Sequence, residues 1–200
     1  MSIDDDAPFA TGSGLGAGLA RAAGGQIAGE GMDAETQRAF RLNVRSWAQA
    51  RGFDARESEL VTRVDEVLVE IRLYELTAET AVVRATALVP AKLTFRFEPT
   101  RKSWTDAIRR KLGAKKPSVE ASFDEKYDLR TDEEEATRQI LGDGSLEAVA
   151  AIDAWCRVVY DEGKIEVRLD TPRLAGRHLL RARDLAVALA RARVSTSAYR

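Results

Sequence analysis

The chain has one cysteine, Cys156, and one histidine, His178. A lone cysteine closes no intramolecular disulfide, and one residue of each kind makes no Cys/His zinc cluster, so the composition points to a reducing compartment. Long apolar runs are missing too. No stretch approaches the roughly 20 apolar residues of a membrane-spanning helix, and the acidic opening Ser2-Ile3-Asp4-Asp5-Asp6 reverses the basic start of a signal peptide. A soluble cytoplasmic protein is therefore expected. Lysine, asparagine and isoleucine are scarce beside arginine and alanine, a bias common in GC-rich bacterial genomes. No Gly-Lys-Ser/Thr phosphate loop occurs. Gly12-x-Gly14-x-x-Ala17 fits the degenerate dinucleotide pattern, but no strand precedes it and no acidic residue closes a second strand after it.

What is present suits an ordinary globular core. The 200 residues are 44% hydrophobic and 32% charged, enough for one domain with a heavily ionised surface. Residues 1–31, with glycines recurring from Gly12 to Gly31, are expected to form a flexible leader, or a glycine-spaced helix through Leu15, Leu19 and Ile27 that packs on a partner. Residues 32–200 are expected to form a single α+β domain. Its sheet should be mainly antiparallel, of about six strands, with an N-terminal helix and a long C-terminal helix packed on it.

Local patterns supply the elements. Asp33 is placed to cap a helix ending at Gly52, with Phe40, Val44 and Trp47 on one face and Arg38, Arg41 and Arg45 on another. That basic face is either solvated or ligand-binding. Period-two alternation then marks strands around Val67, Val83 and Phe95, with a fourth through Val119, Ala121 and Phe123, continued by Tyr127 and Leu129. The clearest signal is a hairpin: Trp155–Tyr160 and Ile165–Leu169 alternate on either side of Asp161-Glu162-Gly163-Lys164. Thr131, with Glu134, reads as a capping box, Gly142-Asp143-Gly144 as the end of that helix, and Thr171-Pro172 as the start of the last one.

Net charge is only -1, yet charge is strongly segregated. Residues 92–116 hold nine basic residues against Glu98 and Asp106, a local charge of +7. A basic amphipathic insert at 99–117 overlaps this stretch. Ser103 and Asp106 start a short helix, Trp104, Ile108 and Leu112 make an apolar stripe, and Arg101, Lys102, Arg109, Arg110, Lys111, Lys115 and Lys116 surround it. Residues 120–135 carry -6, including the run Asp132, Glu133, Glu134 and Glu135, which a helix N-terminus favours.

Residues 119–194, through Phe123-Asp124-Glu125-Lys126-Tyr127-Asp128-Leu129, Ile140-Leu141 and Gly163-Lys164-Ile165-Glu166-Val167, resemble the C-terminal part of an uncharacterised bacterial domain-of-unknown-function family, often membrane-tethered. The resemblance implies no activity and no catalytic residues. It implies a peripheral membrane link at most, because this sequence lacks the family's spans.

Chemistry is sparse. Cys156 sits in a strand pattern as a small hydrophobe and His178 has no second histidine, so no catalytic residue, metal site or cofactor is expected. A non-enzymatic binding or scaffold protein follows, docking an anionic partner, an acidic protein surface, through Arg101, Lys102, Trp104, Ile108, Arg109, Arg110, Lys111, Lys115 and Lys116. A membrane-surface protein, a non-sequence-specific nucleic-acid binder and, last, a hydrolase using the acidic cluster are the alternatives.

Overall fold

The computed structural model describes residues 5–9, 33–56, 59–74, 80–89, 94–101, 123 and 126–192. Helix α1 (Ala34–Gln49) begins where the capping signal places it: the Asp33 carboxylate accepts the Thr36 N–H at 2.8 Å. Those bonds from Thr36 hold the Asp33 carboxyl below its usual range. Gly52 closes the following turn at φ +78°, where a side chain would be strained.

Eight strands form one antiparallel sheet, not about six: β1 (Asp54–Ala55), β2 (Leu60–Val64), β3 (Val67–Tyr74), β4 (Thr80–Leu88), β5 (Phe95–Arg101), β6 (Tyr127–Thr131), β7 (Trp155–Asp161) and β8 (Lys164–Pro172). Their spatial order is β1-β2-β3-β4-β8-β7-β5-β6. The two additional strands are β1 and β2. They are too short, and β2 too mixed in polarity, for alternation alone to mark them; their pairing with β3 supplies what period does not. Asp65 and Glu66 both take positive φ to close the β2–β3 hairpin. The β7–β8 hairpin turns on Glu162 and Gly163 at positive φ, with Asp161 paired to Lys164.

Alternation sorts the faces. Val69 and Ile71 of β3, Val83 and Ala85 of β4, Ile165, Val167 and Leu169 of β8, Cys156, Val158 and Tyr160 of β7 and Phe95 and Phe97 of β5 are all buried on one side. Helix α4 (Gly176–Arg191) lies across β3, β4 and β8 on that side, burying Leu179, Ala182, Leu185, Ala186 and Leu189. At about 25 cal/mol per Å², each buried Leu or Val contributes roughly 1.5–3 kcal/mol. Helix α1 contacts β1 and α4.

Three local expectations are corrected. Thr171 and Pro172 do not start the last helix; they extend β8, pairing with Ala81 and Thr80. Nine-residue pairing with β4 outweighs a local cap, and α4 begins four residues later, after Arg173 at φ +54°. Thr131 is likewise the last residue of β6, and Glu133 precedes helix α2 (Glu134–Ile140). Gly142-Asp143-Gly144 does not stop that helix. A π-turn over Leu141–Ser145 carries it into α3 (Leu146–Ala150), which keeps Ile140, Leu141 and Val149 all buried. Strand β6 starts at Tyr127; Phe123 is buried and stacks on that ring, while Val119 and Ala121 lie outside the described residues.

Residues 5–9, which the sequence assigns to the leader, dock on the domain. Phe9 meets Phe40 and Trp47 edge-on, and its N–H donates to the Leu174 carbonyl at 2.9 Å. The Asp5 carbonyl accepts the Arg177 N–H, one of the free donors at the start of α4, and its carboxylate accepts from the Trp47 indole and pairs with Arg51. Gly176 is required here, because a Cβ would lie 2.4 Å from the Trp47 ring. Residues 10–31 of the expected leader lie outside the described residues.

Candidate functional site

Two arrays of arginine distinguish the surface. The first crosses the open face of the sheet, opposite α4. Antiparallel register sets Arg72 beside Arg84, Arg84 beside Arg168 and Arg168 beside Arg157, four guanidinium groups on four adjacent strands. Like charges directly opposite are destabilising, so each needs compensation. Carboxylates provide it: Glu59 with Arg72 at 2.9 Å, Glu166 with Arg84 at 3.3 Å, Asp170 with Arg168 at 2.9 Å and Glu98 with Arg157 at 2.5 Å. Aromatic faces add to it. Arg84 lies 4.6 Å over Tyr74, and Arg157 and Arg168 lie over Trp155. The row is therefore neutralised from within.

The second array stands on α1. Arg38, Arg41 and Arg45 are exposed, and none forms an ion pair with a described residue. They edge a groove of about 550 Å³ between α1 and strands β2 and β3, floored by Val44, Leu60, Ile71 and Leu73. Arg56 and Glu59 complete its rim. Glu59 is pinned, one oxygen accepting from Arg56 at 3.3 Å and the other from Arg72 at 2.9 Å. Among the described residues the groove thus keeps an unbalanced positive rim over an apolar floor. The sequence pattern had located these arginines on a face away from Phe40, Val44 and Trp47; it had no means of showing that β2 and β3 lie beside them.

Thr171, His178 and Asp153 converge where β8 meets α4. Thr171 Oγ1 is 3.1 Å from His178 Nε2, and Asp153 Oδ1 is 3.6 Å from the same nitrogen. In a hydrolytic triad the acid holds the other nitrogen. Here Nδ1 accepts the Ala175 N–H at 3.0 Å, so the neutral ring carries its proton on Nε2 and donates to Thr171. Nε2 has no lone pair free to take a hydroxyl proton. The histidine braces the β8–α4 junction. Burial holds its pKa below the ordinary value, with Arg177 and Arg181 adding to that and Asp153 opposing it. Partial burial raises the Asp153 carboxyl, but Arg181, His178 and Arg177 outweigh it and hold the group low.

Cys156 is buried, and burial with the nearby Glu98 charge pushes its thiol up to about 12. The acidic run is absorbed structurally. Asp132 accepts the Arg96 N–H at 2.8 Å, and Glu134 and Glu135 pair with Arg138. Among the described residues no group of three or more His, Cys, Asp or Glu side chains is placed to hold a metal ion. No helix among them is long and apolar enough to cross a membrane.

Of the sequence-predicted docking residues, Lys102, Trp104, Ile108, Arg109, Arg110, Lys111, Lys115 and Lys116 lie outside the described residues, and Arg101 is the last residue of β5. The root of the segment is defined. Arg101 pairs with Tyr127, so the chain leaves β5 and enters β6 at one point on the sheet edge. Pairing of β5 with β7 stops at Phe97, two residues before Pro99, which has no N–H to donate. A cavity of about 280 Å³, bordered by Pro99, Thr100, Tyr127 and Trp155, opens there.

Comparison of the chain with protein-family models, curated proteins and solved structures finds no match.

Proposed function

We propose that the protein is a non-catalytic binding module that docks an acidic protein surface through its basic segment at 99–117. The supporting observation is the Arg101 to Tyr127 pairing. An antiparallel pair that closes on itself needs only about two to five connecting residues, whereas 25 separate Arg101 from Tyr127, of which Phe123 is spent on the core. That excess length carries the amphipathic Trp104, Ile108, Leu112 pattern and most of the +7 charge counted over 92–116. Long connections unneeded by a scaffold are commonly functional.

The test is a pull-down from the native host with a triple variant, Arg109→Glu, Arg110→Glu and Lys111→Glu. Association should be lost while Tm stays within about 1 °C, because exposed charges contribute little to folding. Intact capture by the triple variant removes the proposal. So does unfolding of the domain by Trp104→Ala alone, which would make the segment part of the core. Flotation with anionic liposomes, or a band shift that fades steeply with salt, would reassign the same charges to a membrane surface or to nucleic acid.

A further inference from the structure

We infer that the groove between α1 and strands β2 and β3 is a binding site for a single-chain amphiphile with a phosphate headgroup. Every sheet-face arginine named above has its own carboxylate, whereas Arg38, Arg41 and Arg45 have none among the described residues. They recur at i, i+3 and i+7, which spreads their Cα atoms over about 10 Å of helix and lets three long side chains converge on one anion. A carboxylate of single charge would leave two guanidinium groups uncompensated. A phosphate monoester carries about -1.5 to -2 and three acceptor oxygens, the partner that forked guanidinium donors suit best.

The floor sets the rest of the ligand. Val44, Leu60, Ile71 and Leu73 form an apolar bed, and Leu42, 55% exposed, stands at its lip. A volume of about 550 Å³ lies within the roughly 300–1,000 Å³ range of small-molecule sites. Glu59, the only acid on the rim among the described residues, is already held by Arg56 and Arg72 and does not repel an anion as a free carboxylate would. Residues 10–32 of this chain are a poor match for the rim. They carry Arg21 and Glu30 and no other charge, so they cannot balance three arginines.

Titration calorimetry of the full chain with decyl phosphate, below its micelle concentration, tests the assignment. Saturable one-to-one binding is expected, at least tenfold tighter than inorganic phosphate. Arg41→Gln with Arg45→Gln should weaken it tenfold or more, and Leu42→Ser a few-fold, with Tm unchanged in both. The triple charge reversal at Arg109, Arg110 and Lys111 should leave it unaffected, which separates this site from the basic segment. Undiminished binding by the Arg41/Arg45 variant overturns the inference. Equal binding of inorganic phosphate overturns it too, as does tighter binding of an acidic amphipathic helical peptide than of decyl phosphate.

Discussion

The open sheet face and the α1 groove use the same side chain in opposite ways. On the sheet, four arginines stand directly opposite one another, an arrangement that would repel were it bare, and each is answered by a carboxylate or an aromatic ring. On α1, three arginines at helical spacing face a groove with no answering acid among the described residues. Density of positive charge is therefore a poor guide to an anion site. What matters is whether the charge is already spent. The sheet row would cost something to expose to a ligand, since its partners would have to be displaced; the groove would not.

Substitutions break or sharpen that contrast, the largest effect first. Val167 lies on the inner face of β8, next in sequence to Arg168 of the row, and is fully buried. Val167→Asp should cost about 3–5 kcal/mol in urea unfolding, because a carboxylate on that side meets only apolar neighbours. An unchanged unfolding midpoint would mean the two faces of the sheet are interchanged. Glu98→Ala leaves Arg157 unpaired at the end of the like-charge row, where Glu98 is only 18% exposed. A loss of about 1 kcal/mol is expected, diminishing at high salt. The matching change on the other array, Arg41→Gln with Arg45→Gln, should move stability by less than about 0.5 kcal/mol. Equal costs in the two arrays would erase the distinction between spent and unspent charge.

Acidity probes the brace beneath α4. His178 has a folded pKa below its ordinary 6.5, so below that pH the unfolded chain binds a proton that the folded chain does not. Stability should therefore be full above about pH 6.5 and decline as the pH falls from there toward the depressed folded value. Asp153, also held low, loses its share only below its ordinary 3.8. Proton NMR of the His178 ring decides the point: a titration midpoint at or above 6.5 would contradict the buried, Nε2-protonated assignment. The smallest signal is chemical. Cys156 should stay unmodified by a thiol reagent at pH 8 in the native protein and react only on unfolding.

Patterns written within a few residues were legible in the chain. Asp33 capping Thr36, the Gly52 turn, the glycine hairpin at Glu162-Gly163 and the alternation of β3, β4, β5, β7 and β8 each depend on neighbours within one turn or one strand. For the same reason, the arginine spacing on α1 and the basic amphipathic insert at 99–117 could be seen as patterns, though not as a groove or as a connection rooted on the Arg101 to Tyr127 pair. Signals that compete with a distant partner were decided by tertiary structure. Thr171-Pro172 carries a helix-start signature and lies in a strand because β4 offers it a ladder; Gly142 and Gly144 punctuate a helix that burial of Leu141 and Val149 carries through. Residues 5–9 look like the start of a tail until Trp47 and the N-terminus of α4 supply their partners. Register across four strands aligned the sheet arginines, and the packing of α1 beside β2 and β3 made the groove, because both depend on contacts between residues far apart in sequence, which local propensity does not encode.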